Sequence, residues 1–216
     1  MFEGSQFTVC EAGDGKIELI AASATEQPIR RLADIESSLG GRAARVAFAM
    51  NAGMYDQDGR PIGLAIVEGK QKHAINRRKG GGNFHLMPNG VFQIRRDRTA
   101  QIVTSDKWTP SPAVRIATQS GPMLVINGRI HPKISDQGVS RKVRNGVGVR
   151  DGRTVVFAIS NGPVTFGEFA RLFRDELGCP NALFLDGSIS SLYAPSISRR
   201  DGFWPVGPIL AASRRT

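Results

Sequence analysis

One strand–helix–strand passage near the C-terminus constrains the fold of this chain more than any other stretch. Thr154–Ile159 is an apolar, β-branched run, and residues 182–186 form a second apolar run that ends abruptly in Asp186. Between them, Thr165–Leu177 places Phe166, Phe169, Ala170, Phe173 and Leu177 on one helical face. Thr165 followed three residues later by Glu168 makes a capping box, and Gly178 with Pro180 ends the helix. The pattern predicts a βαβ crossover, whose two strands finish at the same edge of a sheet. Ser160-Asn161-Gly162-Pro163 and Asp186-Gly187-Ser188 are then expected to meet in the crevice where open sheets place ligands.

Elsewhere short strands and tight turns dominate. The strand candidates are Arg45–Met50, Ile62–Val67, Val91–Ile94, Gln101–Thr104, Val114–Thr118, Met123–Ile126 and Val143–Val149, separated by turn pairs such as Glu68-Gly69, Asn127-Gly128 and Asp151-Gly152. A second helix is expected over Pro28–Leu39, with Ile29, Leu32, Ile35 and Leu39 on one face and Gly40-Gly41 stopping it. Strands outnumber helices without regular alternation. The fold class is therefore α+β, a strand-rich mixed sheet with a few packed helices, in a single domain over residues 1–216. No run of eighteen apolar residues occurs, so no membrane span is expected. Met1–Cys10 does not read as a signal peptide, which leaves an intracellular protein or a trimmed, exported one.

The formal charge is +10, from 29 Lys and Arg against 19 Asp and Glu. Lys70, Lys72, Arg77, Arg78, Lys79, Arg95 and Arg96 follow one another with no intervening acid, which favours an anionic partner such as a phosphate or a polyanionic glycan. Nucleic acid is not expected, because no reading helix or aromatic-studded sheet motif accompanies the charge. Cys10 and Cys179 lie outside any metal spacing and are compatible with one disulfide or two thiols. His73, His85 and His131 have no partner at ligand spacing, so neither metal nor cofactor is expected. Asp56-Gln57-Asp58-Gly59 lacks the remainder of a calcium loop and reads as a hairpin turn.

Several polar residues follow apolar strands in the manner of Asp186. Asn51 ends one strand, and Gln119-Ser120-Gly121-Pro122 interrupts another. Each suits sugar hydroxyls or phosphate oxygens, and each is equally suited to satisfying a turn backbone. Arg141 and Arg144 have opposite parity in a regular strand, so they grip one phosphate only if a bulge or turn intervenes.

Taken in order, Asn51-Ala-Gly-Met-Tyr55, Gly82-Asn-Phe-His85, Gln119-Ser-Gly-Pro-Met-Leu124, Arg141-Lys-Val-Arg-Asn-Gly-Val-Gly148 and Leu185-Asp-Gly-Ser188 resemble the phosphodiester glycosidase family from about residue 44 onward. The resemblance implies a hydrolase that cleaves the sugar–phosphate bond of a glycosyl phosphodiester, of the N-acetylglucosamine-1-phospho type or a related envelope glycan. It implies a pocket of Asn51, Gln119, Gly121, Arg141, Arg144, Asn161, Asp186 and Gly187, to which Ser188 adds a hydroxyl. Glu168 matches an acidic helix position, although its capping box accounts for it without catalysis. Family members commonly carry Asp-Gly-Gly-Gly-Ser where this chain has Asp186-Gly187-Ser188-Ile189-Ser190, so Ile189 is expected to fill space left open to a ligand. The resemblance also implies a periplasmic or secreted protein, with cytoplasmic as the alternative. A non-catalytic binder of an anionic envelope glycan is the alternative function.

Overall fold

The computed structural model describes residues 1–12, 17–22, 27–186, 189–202 and 204–214, and its strands divide among three sheets. The first sheet has the order β1 (Phe7–Ala12), β12 (Thr154–Ser160), β11 (Asn145–Arg150), β13 (Asn181–Phe184), β9 (Met123–Ile126) and β10 (Arg129–Ile130). The second runs β15 (Arg199–Arg200), β14 (Leu192–Ala194), β3 (Val46–Asn51), β16 (Ile209–Ser213) and β2 (Ile17–Ile20). The third runs β5 (Lys70–His73), β4 (Ala65–Val67), β8 (Val114–Ser120), β6 (Gly90–Arg95) and β7 (Ala100–Thr104). Every ladder among the described residues is antiparallel.

The crossover strands β12 and β13 run in the same direction but do not touch. Both pair antiparallel with β11, which lies between them. Their C-terminal ends share one sheet edge, as the sequence requires, with one strand interposed. The connecting helix α2 (Phe166–Arg171) continues into a widened turn at Leu172–Glu176. Phe169 and Phe173 from this helical segment pack on Val156, Ala158, Ala182 and Phe184 of the sheet.

The expected helix over Pro28–Leu39 is shorter than its periodicity suggests. Arg31 is extended at φ −139° and ψ 138°, a tight turn covers Leu32–Asp34, and α1 spans only Ile35–Leu39. The Arg30 carbonyl accepts a hydrogen bond from Val206 N (2.7 Å), so pairing with a distant segment replaces the first helical turn. Gly40, at φ 53°, ends α1. Strand β11 begins at Asn145 rather than Val143, because Lys142 instead bridges to Val164. Strands β1, β2 and β16 are not among the strands expected from the sequence, and β16 lies between β3 and β2 as an interior strand of its sheet.

One core joins the three sheets, through Phe48 and Met50 of β3, Phe92 of β6, Ile116 of β8, Phe157 of β12, Leu183 of β13 and Leu210 of β16. A separate cluster seats Leu32 and Ile35 on Ala49, Ile209 and Ala211 of the second sheet. Cys10 and Cys179 are free thiols, which settles the alternative left open by the sequence. No helix among the described residues is long and apolar enough to cross a membrane.

Candidate active site

The C-terminal ends of β3, β8 and β13, one strand from each sheet, converge on the segment that carries Asp186. Its backbone is fixed on both sides. Leu185 N donates to Asn145 O (3.1 Å), and Ser120 Oγ donates to Leu185 O (2.5 Å). Phe184 N donates to the Pro122 carbonyl (3.1 Å). Asp186 itself is only 6% exposed and lines a cavity of about 520 Å³. That volume lies within the range of small-molecule sites. Gly187 and Ser188, the two candidates that follow, lie outside the described residues.

Two further segments complete the lining: Met54, Tyr55, Asp56 and Gln57 with Ile62 after β3, and Gly82 with Asn83 before β6. The Asp56–Gly59 stretch is the expected hairpin turn. Asp56 Oδ1 accepts from Asp58 N and Arg60 N (2.9 Å each), and Tyr55 bridges to Pro61. Burial pushes the Tyr55 hydroxyl up to about 12, the adjacent Asp186 carboxylate adds to the rise, and Arg30 opposes it. Tyr55 therefore stays neutral beside the Asp186 carboxylate through the physiological range. Its hydroxyl donates to the Pro205 carbonyl (2.6 Å).

Asn51 is buried and acts as a clamp. Its Nδ2 donates to Ile189 O (2.6 Å), while its Oδ1 accepts from Ser191 N (2.8 Å) and Asn145 Nδ2 (3.1 Å). It thereby fixes the chain just beyond Asp186 to the ends of β3 and β11. Ile189 packs against the apolar cluster that contains Leu32, Ala49, Tyr193 and Ile209, and it is not among the residues that line the cavity. That corrects the expectation drawn from the altered turn.

Gln119 is equally committed. Its Oε1 accepts from Leu64 N (3.0 Å) and Asn76 N (2.9 Å), and its Nε2 donates to Asn76 O (2.6 Å). Gly121 lets the turn carrying Asn83 approach closely. A Cβ there would stand 2.6 Å from Asn89 Cβ and 2.8 Å from the Phe84 carbonyl oxygen. Asn89 Nδ2 donates to that same carbonyl (2.8 Å), which holds the turn in place. These residues frame the cavity without lining it.

The cationic candidates stand apart from the lining. Arg144 is 1% exposed, donates from Nε to Val164 O (3.0 Å) and from Nη2 to Ser140 O (2.9 Å), and lies 3.6 Å from the centre of the Phe166 ring. Desolvation lowers its pKa to about 10, so it remains a cation at neutral pH. Arg141 is half exposed, donates to Pro163 O (3.0 Å) and pairs with Glu168 (3.4 Å). The two guanidinium groups thus end on neighbouring carbonyls, and this needs the irregular backbone at Lys142.

Glu168 also accepts from Ser5 Oγ, while Glu168 N donates to the capping hydroxyl of Thr165 (3.1 Å). Asn161 Oδ1 accepts from Thr8 Oγ1 (2.9 Å) and Arg199 Nη1 (2.7 Å). Glu168, Arg141, Arg144 and Asn161 therefore gather around the approach to α2, and Asp186 faces the cavity. Tyr55, Asp56 and Asn83 were not singled out from the sequence, although the motifs at 51–55 and 82–85 contain Tyr55 and Asn83. Among the described residues, no three His, Cys, Asp or Glu side chains are grouped to hold a metal ion.

An α+β scaffold with a carboxylate at the mouth of a small-molecule cavity defines the class. Residues 44–211 match the phosphodiester glycosidase family, and the chain belongs to it. It is 41% identical over 162 residues to the uncharacterized protein YigE of Escherichia coli (strain K12), which covers 75% of this chain and 61% of that protein. The chain thus spans about three fifths of the length of that relative. The fold is similar to the catalytic domain of zebrafish N-acetylglucosamine-1-phosphodiester alpha-N-acetylglucosaminidase, auto-inhibited by its pro-peptide. The TM-score is 0.66 at 17% identity, over 98% of this chain and 83% of that one. It is also similar to a Burkholderia pseudomallei protein described as a proposed exported protein, with a TM-score of 0.62 at 10% identity over 96% and 74% of the two chains.

Proposed function

We propose that this chain hydrolyses the sugar–phosphate bond of a glycosyl phosphodiester, of the N-acetylglucosamine-1-phospho type or a related envelope glycan. The observation that carries the reading is Asp186, a buried carboxylate fixed by three sheets on the wall of a cavity large enough for a sugar. Membership of the family supports it. In the reaction, the bond between the anomeric carbon and the phosphate oxygen breaks. Water supplies the new oxygen on the sugar, and a phosphomonoester departs with the bonding electrons.

Positive charge develops on the sugar as the bond lengthens, and Asp186 faces it as stabiliser, nucleophile or base. A phosphomonoester is a good leaving group, so the reaction makes little demand on a strong general acid. Tyr55 stays neutral beside Asp186 and gives its one hydroxyl proton to the Pro205 carbonyl, which braces the cavity wall. Arg141 and Arg144, with Glu168 and Asn161, brace the approach to α2. Asn51, Gln119 and Gly121 hold the walls, and Gly187 and Ser188 follow Asp186 in the sequence as further binding candidates. The substrate is an anionic sugar phosphate or glycan, in keeping with the net charge of +10. We assign the protein to the periplasm or the exterior, which the likeness to a proposed exported protein supports.

The test is release of free N-acetylglucosamine from UDP-N-acetylglucosamine by the native chain and by Asp186→Asn. Turnover by the native chain alone supports the hydrolase. Saturable binding by both without release points to the glycan-binding alternative.

A further inference from the structure

Among the described residues, the largest apolar side chain left in solvent belongs to Trp204, which is 67% exposed. Exposed aliphatic side chains such as Val139 and Ile197 are ordinary on a protein surface; a bare indole is less so. The chain just after Trp204 is fixed to the cavity wall. Pro205 O accepts the hydrogen bond from Tyr55 Oη (2.6 Å), and Val206 N donates to Arg30 O (2.7 Å). At Gly207 a Cβ would stand 2.3 Å from Tyr55 Cγ, so the backbone there lies directly on the phenol ring. Tyr55 shares the cavity with Asp186. Trp204 therefore immediately precedes a carbonyl that is bonded to Tyr55, a residue of the wall that also holds the proposed reacting carboxylate.

We infer that Trp204 forms an outer subsite of this cavity, stacking its indole on the apolar face of a substrate ring next to the bond that breaks. This rests on the glycosidase reading above. The ring is either the sugar being released or a ring of the leaving group. Both present a face of low polarity to the indole, whose stacking energy is insensitive to hydrogen-bond pattern.

The chain contains two tryptophans, and Trp108 is 3% exposed with its Nε1 donating to Gln93 Oε1 (2.9 Å). Fluorescence therefore separates a solvent-facing indole from a buried one. The experiment titrates the native chain, Trp204→Ala and Trp108→Phe with UDP-N-acetylglucosamine and, separately, with the methyl phosphodiester of N-acetylglucosamine 1-phosphate. Release of sugar is followed in parallel. The expected result is a saturable blue shift in the native chain and Trp108→Phe that vanishes in Trp204→Ala, whose KM rises about tenfold with kcat little changed. A shift with both probes assigns the released sugar to Trp204, and a shift with UDP-N-acetylglucosamine alone assigns a leaving-group ring; either supports the subsite. No shift with either probe, or an unchanged KM in Trp204→Ala while turnover persists, overturns the subsite and leaves the hydrolase standing. A Trp204-dependent shift with no sugar released keeps the subsite and removes the hydrolase.

Discussion

Asp186 and Arg144 are both buried charges at strand ends of the same sheet, and the molecule treats them in opposite ways. Arg144 is enclosed by two backbone carbonyls and two phenylalanine rings. Asp186 follows a backbone held at Phe184 and Leu185, and it lines the cavity. A buried charge whose surroundings are filled costs desolvation and returns fixed geometry. One beside a cavity keeps its field available to whatever enters. Burial alone does not identify a reacting group; burial next to space does.

The contrast breaks most sharply under substitution. Asp186→Asn is expected to lower kcat for sugar release by about 10²–10⁴-fold, with a melting temperature close to that of the native chain. Steady-state kinetics with thermal denaturation checks both halves. An asparagine variant that keeps its turnover removes Asp186 from the chemistry. Asn51→Ala lies between the two extremes. It leaves buried partners at Ile189, Ser191 and Asn145 unsatisfied, and should cost about 2–4 kcal/mol in urea unfolding together with much of the turnover.

Arg144→Met should do the reverse of Asp186→Asn. Two carbonyls lose their donors while the cost of burying a cation is relieved, for a net loss of about 1–3 kcal/mol. Turnover per folded molecule should be little changed. A variant that stays fully stable yet loses turnover would move Arg144 into the substrate site. The smallest effect concerns Tyr55. Its folded pKa is raised from 10 to about 12, so the stability it contributes is complete below pH 10 and is lost as pH rises from 10 through 12. Thermal melts across that range should fall less steeply for Tyr55→Phe than for the native chain.

The crossover was legible because Phe169, Phe173 and the apolar ends of β12 and β13 repeat at the periods of a helix and two strands. The interposed β11 was not, since its ladder partners lie far along the chain and local pattern says nothing of spatial order. Asp186 could be read from the break between an apolar run and a turn. The surroundings of Arg141, Arg144 and Glu168 could not. Whether a cation meets a phosphate or a carbonyl depends on where residues 163–166 pass, and that is a tertiary fact. Ile189 shows the same limit, for the cluster it packs against is drawn from segments as distant as Leu32 and Ala49. Tyr55 and Asn83 reach the cavity through a hairpin and a tight turn, whose directions no periodicity records.

Strand β1 pairs with β12 along its whole length, from Phe7 opposite Ser160 to Ala12 opposite Val155. During synthesis β1 waits until β12 has been made, and its edge stays unpaired meanwhile. The sheet that carries Asp186 therefore closes only after β12 has left the ribosome. A ribosome stalled before β12 would display a nascent chain with this cavity unbuilt.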